Sequence, residues 1–405
     1  MSNDGRATWC PFHATADDLA RISRDVCDIG SIQQRLVEKN HRLKRMDRAA
    51  HQYQIAGGKV QMKVNEDVPE ALRDIGLFEA GAAHLGIGRV STGLGVPHVE
   101  PSLDFLGLRF AFQTTRGQRV DFIALSDPGA PVDNHVDFIS VLHATAESAG
   151  VELPVIGKLG EHQLPDLLAT QSVFAAALAK RMGLPRALHV VSHLLSQTQR
   201  TIHARTALQP YWTGVVNLGG TLGKFTFVPE SIESDAVGAG PAEYVFSSDW
   251  RHRQRRANIV FLMYWIAFLD EARTPMGALS HGWSESHRLH AGSVVFPQLD
   301  PDSEEAQLWF GLAAEMGANP GNWVSDREAT VTGPSTEFET ARHIAYRLSQ
   351  EGRGALDAQS YISVFSTGVI DAVLVAELRQ RRHDKLQQGH VDMAAVAGLG
   401  GVLRS

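Results

Sequence analysis

Arg342, Tyr346 and Arg353 are spaced for chemistry on one face of a helix, with the tyrosine four residues after one arginine and seven before the other. At about 3.6 residues per turn all three return to the same side. A phenol is a poor iron ligand until it loses its proton, and a cation beside the oxygen favours the phenolate. Arginine keeps its charge and offers donors in a fixed fork, which suits Arg342 to a phenolate and Arg353 to a carboxylate. A solvated helix with a half-buried tyrosine has the same residues, so this spacing needs a second constellation to carry weight.

That constellation is Arg48-Ala-Ala-His51, three hundred residues upstream. A histidine facing a bound oxidant can take a proton from it and return it to the leaving oxygen. Arg89 and Ser91, two residues apart, share a side if they lie on a strand.

The elements that must position these groups change period along the chain. Residues 14–45 read as helical, with Leu19, Ile22, Val26 and Ile29 at helical spacing. Val60, Met62 and Val64 then alternate with Lys59, Gln61 and Lys63, a strand pattern. Leu108, Phe110 and Phe112 alternate in the same way, and Val120, Phe122, Ala124 and Ser126 share one strand face. Helical patterns return over Pro165–Met182 and Arg186–Ile202, strands at Val215–Val216, Lys224–Val228 and Ser293–Phe296, and the last hundred residues are mainly helical. The apolar run Ile259–Leu269 reads as a buried helix, too short to span a bilayer. Two blocks of strands without β-α-β alternation predict an α+β fold, an antiparallel barrel with helices packed outside.

The 405 residues, 43% apolar and 20% charged, can bury a large core. A formal charge of −7 gives no reason to expect nucleic acid or an anionic membrane as partner. Two cysteines, Cys10 and Cys27, make no disulfide framework and fit a reducing cytoplasm, and no apolar signal core follows the first residues.

From residue 48 to about residue 143 the order of landmarks resembles the catalase superfamily, closest to its short bacterial catalase-related haem peroxidases. Arg48-Ala-Ala-His51 is similar to the family's distal motif, and Gly88-Arg-Val-Ser-Thr92 stands where the family has Arg-Phe-Ser. Asp104-Phe-Leu-Gly107 with the strand after it, and Asp121–Pro128, resemble two further family segments. Tyr211-Trp-Thr-Gly214 and Gly223-Lys-Phe225 resemble returning barrel strands, and Arg342, Tyr346 and Arg353 close the pattern. The resemblance covers roughly residues 45–355, weakly over 145–205 and 230–330.

It implies haem b between the barrel and a C-terminal helix, with Tyr346 as the axial iron ligand and Arg342 beside it. It further implies a distal acid–base His51 held by Ser91, propionates on Arg48, Arg89 and Arg353, and Phe138 over the haem plane. The expected organisation is a helical arm over 1–45, a haem domain over 46–355 and a helical extension over 356–405. A homo-oligomer fits the short arm and the family.

The departures direct the chemistry. Ser126 stands at the family's distal asparagine, and a serine is shorter and donates one hydrogen bond. Gly129-Ala-Pro-Val132 replaces bulkier residues, which widens the expected cavity. Together they favour peroxide-driven oxidation of a small organic or lipid substrate over peroxide dismutation. Three readings stay open beside it: allene oxide synthase-like or lyase-like conversion of an organic hydroperoxide, a biosynthetic haem oxidase, and a non-catalytic haem-binding protein.

Other constellations are weaker. His189 and His193 are i,i+4 but lack the neighbouring glutamate of a zincin helix, and helix packing explains them better. Cys10-Pro-Phe-His13 has no partners for a zinc site, and the glycines of 217–223 fit a hairpin better than a phosphate loop.

Overall fold

A computed structural model describes residues 15–39, 48–73, 76–93, 95, 104–149, 164–204, 206–218, 221–230, 245–276, 279–322, 333–334 and 336–388. Within these, only the backbone is described for 164–171, 198–204, 245, 333 and 334. The Cys10–His13 pair and the glycines of 398–401 lie outside the described residues.

The strands are β1 (Gln54–Val64), β2 (Ala83–Thr92), β3 (Leu106–Gln113), β4 (Arg119–Leu125), β5 (Tyr211–Thr213), β6 (Val216–Leu218), β7 (Thr221–Pro229), β8 (Ile259–Ala267), β9 (Leu289–Phe296) and β10 (Gly333–Pro334). The order β7-β5-β4-β3-β2-β1-β9-β8 returns to β7 through a β7–β8 ladder, so eight antiparallel strands close a barrel. The β6 strand continues from β7 as a hairpin, pairing Leu218 with Thr221, and β10 adds to its edge.

Strand periodicity fills the barrel. Met62, Phe110, Phe112, Phe122, Phe225, Phe227, Phe261 and Phe296 are fully buried in one cluster. Each such phenylalanine contributes about 1.5–3 kcal/mol, against roughly 0–1 kcal/mol for an exposed ion pair. The aromatic interior therefore holds the barrel together.

The helices lie outside: α1 (Ala16–Val26), α2 (Ile29–Lys39), α3 (His135–Ser148), α4 (Leu164–Met182), α5 (Leu184–Ala204), α6 (Val245–Arg256), α7 (Glu304–Glu315), α8 (Glu337–Arg353), α9 (Ala358–Tyr361), α10 (Val364–Thr367) and α11 (Ala372–Gln387). Residues on the outward strand positions, such as Ile87 and Ala111, pack under Trp309, Leu312 and Phe365 of these helices. The helices expected as an N-terminal arm set Ile22, Val26, Ile32 and Leu36 against α3 and α8. Arg21 donates to Glu337 at 2.8 Å, and His135 sits between Asp25 (2.9 Å) and Glu337 (3.0 Å), tying α1, α3 and α8 together.

One expectation fails. Ile259–Leu269 does not form a helix, because Ile259–Ala267 is strand β8, paired with β7 on one side and β9 on the other. Ile259, Phe261, Met263 and Trp265 point inward and Val260, Leu262 and Tyr264 lie less buried between them. Branched and aromatic residues favour such a pleated surface, and a run apolar on both faces hides the alternation from a reading of periodicity alone.

Candidate functional site

The site lies on the outer face of β2–β3–β4. Register sets two rows there: Ser91, Gly107 and Leu125 are neighbours across the strands, and so are Arg89, Arg109 and Ile123. Gly107 is the place where a side chain is excluded. A Cβ on it would stand 2.5 Å from His51 Nδ1, so the imidazole lies directly over the strand.

His51 itself adopts φ 56°, the one positive value of a non-glycine among the described residues. Such a conformation is uncommon for a residue with a Cβ and costs of order 1–3 kcal/mol. The surroundings enforce it. His51 N donates to Gly93 O at 2.9 Å, Thr92 N donates to Tyr53 O at 3.0 Å, and Arg89 Nη2 donates to the His51 carbonyl at 2.7 Å. Arg89 Nε also donates to Gln54 Oε1 at 3.0 Å.

The ring is equally constrained. His51 Nδ1 is 3.0 Å from Thr92 O and 3.3 Å from Ser91 Oγ, with Phe105 edge-on at 6.0 Å. A carbonyl only accepts, so Nδ1 carries the proton and Nε2 keeps its lone pair. Burial, then the charges of Arg89, Arg342 and Arg48, push the imidazole pKa down to about 3 against the bond to Thr92. His51 is thus a neutral base with one open nitrogen.

Helix α8 brings the second constellation. Thr336 caps it, accepting from Glu339 N at 3.1 Å, and Gly354 ends it in the left-handed conformation (φ 61°). Arg342 lies 5.8 Å from the centre of the Tyr346 ring. Its Nη1 donates to both carboxylate oxygens of Glu339 at 3.0 Å. Burial works against the Arg342 charge, but Glu339 and Tyr346 outweigh it and hold the pKa above the usual arginine range.

Two adjoining cavities share His51, Phe138 and Tyr346 as walls. The smaller, about 680 Å³ with its opening, is walled by Arg48, Arg89, Arg109, Arg353 and Ser91. Three of these arginines converge on the end of α7. Arg109 Nη2 donates to Ala313 O at 3.2 Å, Arg48 Nη2 to Ala314 O, and Arg353 Nη2 to Met316 O at 3.0 Å. A helix C-terminus exposes unpaired carbonyls and partial negative charge, which suits cations. Arg89 and Arg109 face each other directly across β2 and β3, where like charges repel. Burial pushes the Arg109 pKa down to about 10, and Arg353 and Arg119 add to that.

The larger cavity, about 890 Å³ with its opening, is mainly apolar, walled by residues such as Phe105, Leu125, Pro128, Val141, Leu279 and Phe338. Its polar wall includes Asp127, Lys224, Glu339 and Arg342.

The structure therefore brings together Arg48, His51, Arg89, Ser91, Phe138, Arg342, Tyr346 and Arg353. It does not bring Ser126 to them. Ser126 Oγ accepts from Leu106 N at 2.9 Å, and the residue walls neither cavity. Strand alternation is the reason, because Ser126 continues the inner face of Phe122 and Ala124 while Leu125 and Asp127 face the cavity.

Asp127, Arg109, Lys224 and Glu339 escaped the sequence reading. A carboxylate three residues before Arg342, and lysine or arginine within apolar strands, were the available signals. His193 Nε2 contacts Asp127 Oδ2, and the His189 and His193 rings lie 6.3 Å apart on α5.

Comparison with solved structures assigns the architecture to the catalase fold. A fungal catalase superposes with a TM-score of 0.54 at 14% identity, over 76% of this chain and 59% of that one. A bacterial catalase gives 0.55 at 17% identity, over 78% and 59%. Catalase A from Saccharomyces cerevisiae gives 0.54 at 13% identity, over 80% and 63%. This chain thus spans about three-fifths of the length of those catalases. No protein-family model and no curated protein matches it.

Proposed function

We propose that the chain is a haem-dependent oxidoreductase that uses a peroxide to oxidise an organic molecule, a catalase-related peroxidase or peroxygenase. The observation that carries this reading is that His51, with a free Nε2, and Tyr346, beside the Arg342 guanidinium, wall the same pair of cavities.

The residues present fit haem b. Tyr346 would hold the iron, with the Arg342 guanidinium beside its ring. Arg48, Arg109 and Arg353 would hold the propionates, and those anions would offset the repulsion between Arg89 and Arg109. Phe138 and the apolar walls take the ring. Haem iron supplies the redox chemistry when bound.

The protein supplies acid–base control. His51 Nε2 takes the peroxide's proton and returns it to the leaving oxygen, while Thr92 O and Ser91 Oγ hold the ring. Ser126, with its hydroxyl committed to Leu106 N, does not replace an asparagine aimed at a second peroxide. That and the wide apolar cavity favour an organic co-substrate over dismutation.

Expression with haem supplied, followed by absorption spectroscopy, tests the reading. A Soret band with high-spin ferric features that changes in Tyr346→Phe supports it, whereas folded protein without stoichiometric haem overturns it. The apolar cavity also accommodates rearrangement of an organic hydroperoxide, and product analysis without added reductant separates that outcome from peroxidation.

A further inference from the structure

We propose that Lys224 anchors a carboxylate on the organic substrate, so that the larger cavity selects apolar molecules that end in an acid. This rests on the oxidoreductase reading above and specifies its substrate class.

Lys224 lies on β7 between inward-facing neighbours and is only 4% exposed, yet it walls the cavity. Among the described residues its ammonium has no hydrogen bond and no ion pair. Its contact is the face of Trp283, 4.9 Å from ring centre to nitrogen. The nearby carboxylates, Glu339 and Asp127, have other neighbours. Both oxygens of Glu339 take Arg342 Nη1 at 3.0 Å, while Asp127 Oδ1 accepts from Gly129 N at 3.1 Å and its Oδ2 contacts His193.

An ammonium carries three donors and no acceptor, and burying it without a partner is costly. Burial pushes the Lys224 pKa down to about 8, and Arg342 adds to this while Glu339 and Asp127 oppose it. A ligand carboxylate would give the ammonium both a hydrogen bond and a countercharge, and a neutral acceptor only the first. The rest of the cavity wall, with Trp212, Val215, Leu279 and Phe338, accepts a hydrocarbon body.

The test is calorimetric, on haem-loaded and haem-free protein, with decanoate, decanamide and decan-1-ol as probes. Decanoate should bind about tenfold or more tightly than the other two, as expected for one charge-assisted bond. Lys224→Met should abolish that preference while decan-1-ol still binds, weaker only by its neutral hydrogen bond, which also shows that the cavity persists. Unmodified protein gives a second readout: the preference should fall as pH rises past about 8. Glu339, Arg342 and Tyr346 on α8, Asp127 after β4, His193 on α5 and His51 share this wall or border it.

Equal binding of decanoate and decanamide overturns the proposal. So does a Lys224→Met variant that loses haem uptake but keeps the preference, because Lys224 would then hold a propionate. Failure to bind haem at all overturns the oxidoreductase reading alone, since the haem-free titration still reports on Lys224.

Discussion

Arg89 Nη2 donates a 2.7 Å hydrogen bond to the carbonyl of His51, the residue with the left-handed backbone. The same guanidinium is fixed by Gln54 and repelled by Arg109 across the strand pair. Arg89 thus acts on the imidazole through the peptide that carries it. Arg89→Leu should let His51 relax to an ordinary conformation, lowering the rate of the first reaction with peroxide at least tenfold. Stopped-flow mixing with haem-loaded protein checks this, and an unchanged rate would show that the strained backbone does not depend on Arg89.

Gly107 leaves room for the imidazole to lie over β3. A methyl group there would stand 2.5 Å from His51 Nδ1 and 3.2 Å from Ser91 Oγ. Gly107→Ala should displace His51 and slow peroxide activation, with little effect on the haem spectrum if Tyr346 holds the iron as proposed. Chemical denaturation should show a loss of about 1–3 kcal/mol, the usual cost of overpacking.

His51 also gives the protein a pH signature. Its proton is bound at about pH 3 in the folded state, against about 6.5 in an unfolded chain. Between those values the unfolded chain binds more protons, so stability falls as pH drops from about 6.5 towards 3, by up to about 1.4 kcal/mol per pH unit from this group. In urea unfolding at pH 7 and 4.5, His51→Gln should lose correspondingly less stability than the unmodified chain. Equal losses would mean that the imidazole is hydrated or paired in solution.

Glu339 and Arg342 form a buried pair, and removing one member of such a pair costs about 3–5 kcal/mol. Glu339→Leu should therefore destabilise haem-free protein by that order. Haem-loaded protein should lose less if Tyr346 holds the iron as proposed, because the ligated oxygen would then stand in for the carboxylate beside Arg342. Comparing denaturation midpoints in the two states measures the difference.

Ser126→Ala should cost about 1–3 kcal/mol, through the orphaned Leu106 N–H, and leave peroxide reactivity intact. A large loss of reactivity would return the hydroxyl to the distal chemistry.

Much of this architecture was legible in the sequence because barrel strands with one polar face advertise their period, as β1 does at Lys59–Val64. The β8 strand was not legible, since its partly buried outward residues Val260, Leu262 and Tyr264 are apolar or aromatic like its inward ones and leave no polar alternation. Local spacing exposed the two arginine-anchored motifs. Lys224, Asp127 and Glu339 come from three separate segments, and their meeting is set by strand register and helix docking, which no local pattern encodes. Ser126 illustrates the converse: its position beside Pro128 was readable, but which way it faces depended on the pairing of β4.

The C-terminal carbonyls of α7 hold Arg48, Arg109 and Arg353 in place by protein contacts alone. The positive field they create therefore exists before any anion arrives. If haem is the cofactor, as proposed, its loading becomes a steered encounter between a folded host and a dianionic guest. Its second-order rate should drop steeply as ionic strength shortens the reach of that field, from a Debye length of about 30 Å at 0.01 M to about 8 Å at 0.15 M.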